Sequence, residues 1–257
     1  SATLRENVVA LARNIGYVPR SKKSSRANIS FFVDMSDVSP TPANLTLKAG
    51  PVASTGGQSA GQSFVFGIPE DITVSVVDGI ASFDEIEVYE GSYLSQTYVY
   101  STRNPFQKFI LPNVGIDLES LVVRVKPSVD SSVSTKYSRQ DELFDAVTKS
   151  TITGNSNIYF IQEIEGEQYE VIFGDGVFGK ALEDGNVVEF TYIVTNGADG
   201  NGVGTFTFSG SVSYVRNSVE IFVTSGISLL SSLLPSSGGE RIESIDSIRK
   251  YAPQVYT

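Results

Sequence analysis

Two sets of closely spaced acidic residues are the first candidates for chemistry in this chain. A glycosidase needs two carboxyl groups at a fixed separation, one to protonate the leaving group and one to act as base or nucleophile. Spacing by two residues, however, places side chains on one face of a strand, where several like charges are typical of a solvent-facing surface. The pattern therefore favours solvated strands over a hydrolase site. The two sets are Asp84/Glu85/Glu87 and Glu163/Glu165/Glu167.

Two glycine-rich segments have the composition of ligand-binding loops but not their full patterns. The segment Asn196–Gly202, NGADGNG, could offer oxygen atoms to calcium, but Ala198 and Gly200 occupy positions that require ligands. The segment Gly174–Gly179, GDGVFG, resembles a phosphate loop, but it lacks the Gly-Lys-Ser/Thr ending and a following helix pattern. We therefore interpret both segments as turns that hold neither a metal nor a nucleotide.

Four tyrosines in a strand-rich region could form a stacking platform for a sugar. They are Tyr89, Tyr93, Tyr98 and Tyr100. Tyrosine is equally common on half-buried sheets, where the ring packs and the hydroxyl stays in water. Glycan binding, in a protein of the adhesin or tail-fibre type, therefore stays open as an alternative function.

The composition narrows the function classes. The 257 residues include neither cysteine nor histidine, which excludes disulfides and thiolate sites and removes the commonest general base and metal ligand. The net charge of −10 disfavours a nucleic-acid surface, because phosphate binding depends on Lys and Arg. No apolar run approaches the roughly 18 residues of a membrane span. We therefore expect no enzyme activity, cofactor, small-molecule substrate, nucleic-acid partner or membrane partner.

The stretch Tyr169–Gly202 has the clearest β pattern of the chain. Apolar residues alternate in Tyr169–Phe173 and in Val187–Thr195, which predicts two half-buried strands. The turn signals between them predict two linked hairpin elements and then a glycine-rich exit loop. The predicted turn residues are Gly174, Asp175, Gly176, Gly179 and Gly185.

Three blocks of sequence resemble one protein family. The segment Phe173–Gly202, FGDGVFGKALEDGNVVEFTYIVTNGADGNG, is similar to the core of the baseplate J-like family. The segments Phe109–Ser128 and Gly238–Pro253 are similar to the neighbouring blocks of that family, in the same order. Its members are wedge subunits of contractile phage tails and related injection machines, among them the baseplate wedge proteins of T4-like phages. Three ordered blocks are more specific than one glycine motif.

The resemblance implies a structural subunit of a tail baseplate wedge. Such a subunit links wedges into the ring around the hub and rearranges when the tail contracts. The implied partners are a second copy of the chain, in a homodimer, and other wedge proteins. The implied location is the tail baseplate of the virion, after assembly in the host cytoplasm. Because the chain begins at Ser1 rather than Met and ends just after a helix-and-proline signal, we expect a piece of a longer protein.

Apolar residues recur at helical spacing near both ends of the chain. Thr3–Glu6 has the pattern of a capping box, and Gly16 is suited to end the helix that follows. The apolar face of the N-terminal helix could pack on the chain's own β domain or on helices of a partner, and both interpretations remain open. The residues of the predicted interface are Leu4, Val8, Leu11, Ile15, Ile242, Ile245 and Ile248.

The predicted fold class is α+β and mainly β. Strand runs such as Ile72–Val77 and Leu121–Val125 form two antiparallel or mixed β units, with short amphipathic helices at the N-terminus, in the middle (Ser138–Lys149) and at the C-terminus. The predicted domains are 1–27, an N-terminal helix and basic linker; 28–127, a first β domain; 128–230, a second β domain with the baseplate J-like core; and 231–257, a linker and the start of a C-terminal helical segment.

Overall fold

A computed structural model describes residues 2–14, 16–55, 63–140 and 152–256. Over these residues the protein is mainly β, as predicted, with two sheets. The helices are α1 (Ala2–Asn14) and α2 (Ile245–Tyr251). The strands are β1 (Arg26–Asp34), β2 (Asn44–Leu47), β3 (Gly50–Ser54), β4 (Val65–Ile68), β5 (Ile72–Val77), β6 (Ile80–Glu90), β7 (Ser92–Val99), β8 (Phe109–Leu111), β9 (Ile116–Lys126), β10 (Thr135–Arg139), β11 (Ile158–Ile164), β12 (Gln168–Phe173), β13 (Val187–Val194), β14 (Thr207–Phe208), β15 (Val212–Arg216) and β16 (Val219–Phe222).

The chain folds into two compact units that are interleaved in sequence. The seven-stranded unit combines Ser1–Ser21, Leu94–Tyr192 and Ile242–Thr257, and the nine-stranded unit combines Lys22–Tyr93 and Ile193–Arg241. The sequence predicted consecutive β domains at 28–127 and 128–230. Strands β8 and β9 instead join β10–β13 in one sheet, while β14 and β15 pair back to β3 and β2. Apolar alternation locates strands but does not specify their partners, so the division was missed.

The nine-stranded sheet is antiparallel in the order β14-β3-β4-β6-β5-β2-β15-β16, and β1 also pairs with β6. Strand β1 alternates buried and exposed residues, as expected for a sheet with one face in the core. The β1–β6 register shifts between Ile29 and Phe31. Here Glu85 has a φ of 50° and its N–H donates to Ser30 Oγ at 2.9 Å, which marks a β-bulge in β6.

The remaining edge of β1 is occupied by the segment 226–240. Backbone hydrogen bonds join Ser30 and Ser231 in both directions at 2.9 Å, and Arg26 and Ser237 likewise at 2.9 Å. The sequence predicted a loose linker over 231–239. The structure instead places it beside β1, because the amides of an unpaired strand edge are satisfied by any extended segment that lies along them.

The seven-stranded sheet is mixed, in the order β7-β13-β9-β10-β11-β12-β8, and β10 runs parallel to β11. Strands β12 and β13, which enclose the glycine-rich motif, are not neighbours in this sheet. Strand β12 lies between β11 and β8, and β13 lies between β7 and β9. The prediction of two linked hairpin elements was therefore wrong. The connection 174–186 passes over the three strands that lie between β12 and β13. A hairpin between neighbouring strands would need a turn of only about two residues.

The predicted middle helix does not start where the sequence placed it. Ser138 lies in β10, and the rest of that prediction from residue 141 onward falls outside the described residues.

Candidate interaction surfaces

The first acidic set lies on the solvent side of β6, as the spacing indicated. Asp84, Glu85 and Glu87 are all exposed. Arg26 approaches Glu87 to 3.4 Å, and the Tyr89 hydroxyl donates to Glu87 at 2.7 Å. Because the bulge at Glu85 breaks the alternation, the three side chains form an irregular row rather than a spaced catalytic pair.

The second acidic set does not share one solvent-facing strand. Glu165 and Glu167 lie in a 3₁₀ turn between β11 and β12, whereas Glu163 on β11 is buried. Both Glu163 oxygens accept hydrogen bonds from Arg5 on α1, at 3.0 and 3.1 Å. Burial raises the pKa of Glu163, although the Arg5 guanidinium opposes this. The pair fastens α1 to the sheet.

Glu243 fastens the C-terminal segment to the same unit. Its carboxylate accepts from the Tyr17 hydroxyl at 2.8 Å, the Arg20 amide at 2.9 Å and the Ser247 hydroxyl at 2.6 Å. Burial alone would raise the pKa of Glu243, but these donors lower it below its ordinary value. Burial and the same carboxylate raise the pKa of Tyr17 to about 12. The arrangement stabilises the position of the two terminal segments and leaves the carboxylate no free lone pair facing solvent.

Helix α1 has two distinct faces. Val9 and Ala12 on its inner face pack with Ile248 and Ala252 in a small apolar cluster, with Val8 against its rim. The helix ends in a Schellman motif: the Gly16 amide donates to Arg13 O and the Tyr17 amide to Ala12 O, with Gly16 at a φ of 75°. The inner face thus packs within the chain, one of the two interpretations left open by the sequence.

The opposite face of α1 is in solvent. Leu4 and Leu11 are 48% and 68% exposed, and Asn7 and Asn14 lie between and beyond them, also exposed. The spacing 4, 7, 11, 14 is the three-and-four alternation of a helix-pairing seam. We call these four residues the outer stripe.

The other predicted interface residues are less accessible. Ile248 is fully buried in the cluster with α1, so it contacts the chain's own helix rather than solvent. Ile242 and Ile245 are half-buried, and Ile15 lies outside the described residues. The Ser244 hydroxyl caps α2 by accepting a hydrogen bond from the Ser247 amide. The helix therefore begins at Ile245, and Ile242 precedes it.

The glycine motif after β12 is a self-contained turn. Asp175 Oδ1 accepts the amides of Val177 and Phe178, each at 2.8 Å, and the Phe178 and Val177 bonds hold the pKa of this exposed carboxyl below its ordinary value. A Cβ at Gly179 would lie 2.8 Å from Ile158 Cγ1, so the position requires glycine. The amides that a phosphate would need are already occupied. Positive φ angles occur at Gly176, Gly179 and Gly185.

The second glycine motif is organised by a buried acid that sequence reasoning did not single out. Glu90 is 1% exposed, and its carboxylate accepts from the Thr195 hydroxyl, the Asn196 amide at 3.1 Å and the Asn196 side chain at 2.7 Å. Gly200 packs so closely that a Cβ would lie 2.8 Å from Glu90 Cγ. The Asn196 side chain, which a calcium site in this motif would use, is therefore engaged in holding the loop.

The four tyrosines are divided between the two units. Tyr89 and Tyr93 belong to the nine-stranded unit, and Tyr98 and Tyr100 to the seven-stranded unit. The Tyr98 ring packs edge-to-face on Phe109 at 5.6 Å, and its hydroxyl donates to a backbone carbonyl. For Tyr98 this packing is that of a half-buried sheet residue.

An apolar surface that the sequence analysis missed lies along β1. Leu229, Leu233 and Leu234 are 94%, 87% and 75% exposed, although their segment is fixed to β1 by backbone hydrogen bonds. We call these three residues the leucine ridge. The sequence signal is two leucine pairs in a serine-rich stretch, whose composition predicts a linker rather than a contact surface. Exposed apolar residues on a fixed segment are typical of protein contacts.

The described residues contain no group of three or more acidic, histidine or cysteine side chains placed to hold a metal ion. Among the same residues, neither helix has the length and apolar character that crossing a membrane requires.

Of the comparisons with known proteins, only the one with solved structures found a match. No protein-family model matches the chain, and no curated protein matches it. One solved structure similar to it is the cryo-EM structure of the anti-feeding prophage (AFP) baseplate, 6-fold symmetrised, with a TM-score of 0.31 and 12% identity. The match covers 98% of this chain and 42% of that one, so the chain spans less than half its length. The membership in the baseplate J-like family stays a prediction.

Proposed function

We propose that this chain is a structural, non-catalytic subunit of a contractile-tail baseplate wedge. The support for this class of machine is the set of three ordered sequence blocks similar to the baseplate J-like family. The proposal includes contacts with other wedge proteins, a place in the virion tail after assembly in the host cytoplasm, and rearrangement on contraction.

The observation that carries an assembly role is the outer stripe of α1. Leu4 and Leu11 lie on one exposed face of a helix whose inner face is already packed, and an apolar stripe of this kind is a candidate contact surface. The stripe has no charged residue, although the chain carries a net charge of −10. Two copies can therefore meet along it without facing like charges. We propose that a second copy of α1 is the occupant, which makes the subunit a homodimer.

The double variant Leu4→Asp/Leu11→Asp tests this assignment. Burying four half-exposed leucines in a dimer contributes about 1 kcal/mol for each, and aspartate would replace that gain with repulsion. Sedimentation velocity should show a wild-type dimer and a monomeric double variant, with circular dichroism unchanged because both side chains are exposed.

Val133→Asp is the matched control, since Val133 is 69% exposed in a loop of the same unit. It should leave the dimer intact. A double variant that still dimerises, or a control that dissociates equally, would contradict the role of the stripe.

A further inference from the structure

The leucine ridge is flanked by negative charge. Leu229 lines a shallow groove with Asp84, and Leu233 and Leu234 line the next groove with Glu85 and Glu87. The three acids are exposed on β6, which pairs with β1 beside the ridge. We call Asp84, Glu85 and Glu87 the acidic row.

The acidic row is not neutralised locally. Arg26 is the cation that lines the same groove; it lies 3.4 Å from Glu87, and both side chains are about half exposed. One cation against three carboxylates among the residues that line the two grooves leaves the surface potential negative around the ridge. Phe32, 48% exposed, extends the apolar strip between Leu229 and the row.

The ridge is also preorganised. Ser228 and Ser231 donate their amides to Phe32 O and Ser30 O at 2.9 Å, and Ser237 donates to Arg26 O at 2.9 Å. These bonds hold the leucines on both sides of position 231 in place before any partner arrives. Binding then costs little backbone entropy, which is a feature of surfaces that dock one defined partner.

We infer that the ridge and the row together bind a basic amphipathic segment of a different protein, with apolar side chains that cover the leucines and Lys or Arg beside them. Charge complementarity selects this occupant. The same surface of a second copy is disfavoured as the occupant, because it would bring a second acidic row against the first. This goes beyond the proposed function, since it defines the chemistry of a partner whichever machine contains the chain.

Isothermal titration with two model peptides tests the inference on the complete chain. One peptide carries leucine and lysine at helical spacing; the other has the same leucines with glutamate in place of lysine. The Leu/Lys peptide should bind, and more weakly as salt rises; the Leu/Glu peptide should not bind. Leu233→Ser/Leu234→Ser should weaken binding at least about tenfold, or 1.4 kcal/mol, with the thermal midpoint unchanged.

Two further variants separate the apolar and charged parts. Asp84→Asn/Glu85→Gln should weaken binding and flatten its salt dependence, and Val133→Ser, an exposed position in the seven-stranded unit, should bind as the wild type does. Failure of the Leu/Lys peptide to bind, equal binding by the ridge variant, or equal binding of the Leu/Glu peptide would overturn the inference. So would a wild-type dimer that the ridge variant abolishes, because the ridge would then belong to a second copy.

Discussion

Two buried carboxylates organise the terminal and loop segments of this chain. Glu90 holds the turn after β13, and Glu243 holds the segments around Tyr17 and Ser247. Each accepts several hydrogen bonds from residues far away in sequence. The donors around Glu243 lower the pKa of its carboxyl, so this carboxylate contributes to stability while it stays charged. Acidic residues in this chain are thus structural where they are buried.

Glu243→Gln should reduce stability in a pH-dependent way. Because the folded-state pKa of Glu243 is lowered, its contribution is fully present above the unfolded-state pKa and is lost as pH falls through the folded value. The free energy of unfolding of the variant should be about 2 kcal/mol lower than that of the wild type at neutral pH. This difference should become smaller as the solution is acidified. Urea unfolding across the acid range measures this.

Asp246→Asn is the control for that experiment, because the Asp246 side chain is 96% exposed three residues further on. It should follow the wild type at every pH. A constant gap between Glu243→Gln and wild type down to low pH would show that the charge of Glu243 is not what its donors stabilise.

At the scale of elements, β1 and α1 each do more than their sequence patterns indicate. Strand β1 pairs with β6 on one edge and with the segment 226–240 on the other. Helix α1 packs inward through Val9 and Ala12 and exposes its outer stripe. The candidates for contact with another molecule are therefore the outer stripe of α1 and the leucine ridge on the segment that β1 holds.

Ser231→Pro should detach the segment 226–240 from β1. Proline removes the amide that donates to Ser30 O, at a cost of about 1–3 kcal/mol for a buried or shielded bond. Hydrogen exchange at the Ser30 and Ser237 amides should become faster, and the ridge should lose the Leu/Lys peptide. Ser231→Ala keeps the amide and should leave exchange slow; equal effects of the two variants would contradict the backbone explanation.

The sequence predicted individual strands better than their arrangement. Ile72–Val77 has the same bounds in the structure because its alternation and flanking turn residues are local signals. The pairing of β15 with β2 depends on residues more than 160 positions apart, which no local pattern records. The positions of Gly16 and Gly179 followed from backbone conformation, whereas the burial of Glu90 and Glu163 depends on donors supplied by distant segments.

At the scale of the whole molecule, the two candidate surfaces differ in charge. The outer stripe on the seven-stranded unit is uncharged, which suits a second copy, and the leucine ridge on the nine-stranded unit lies beside the acidic row, which suits a basic partner. A subunit with one self-contact and one contact to a different protein can join like and unlike neighbours in a ring. The proposed assembly role depends on these two surfaces binding different partners.

The most direct measurement uses the absence of cysteine from the chain. A cysteine at position 11 can then form a disulfide only with another copy. The Cα atoms of the two cysteines must also lie within about 6 Å of each other. Mild oxidation of Leu11→Cys, alone for a parallel pair and mixed with Asn7→Cys for an antiparallel pair, should give a covalent dimer rapidly in at least one case. The control Val133→Cys should cross-link slowly. Cross-linking of both position-11 samples at the slow rate of the control would contradict the claim that this chain assembles through α1.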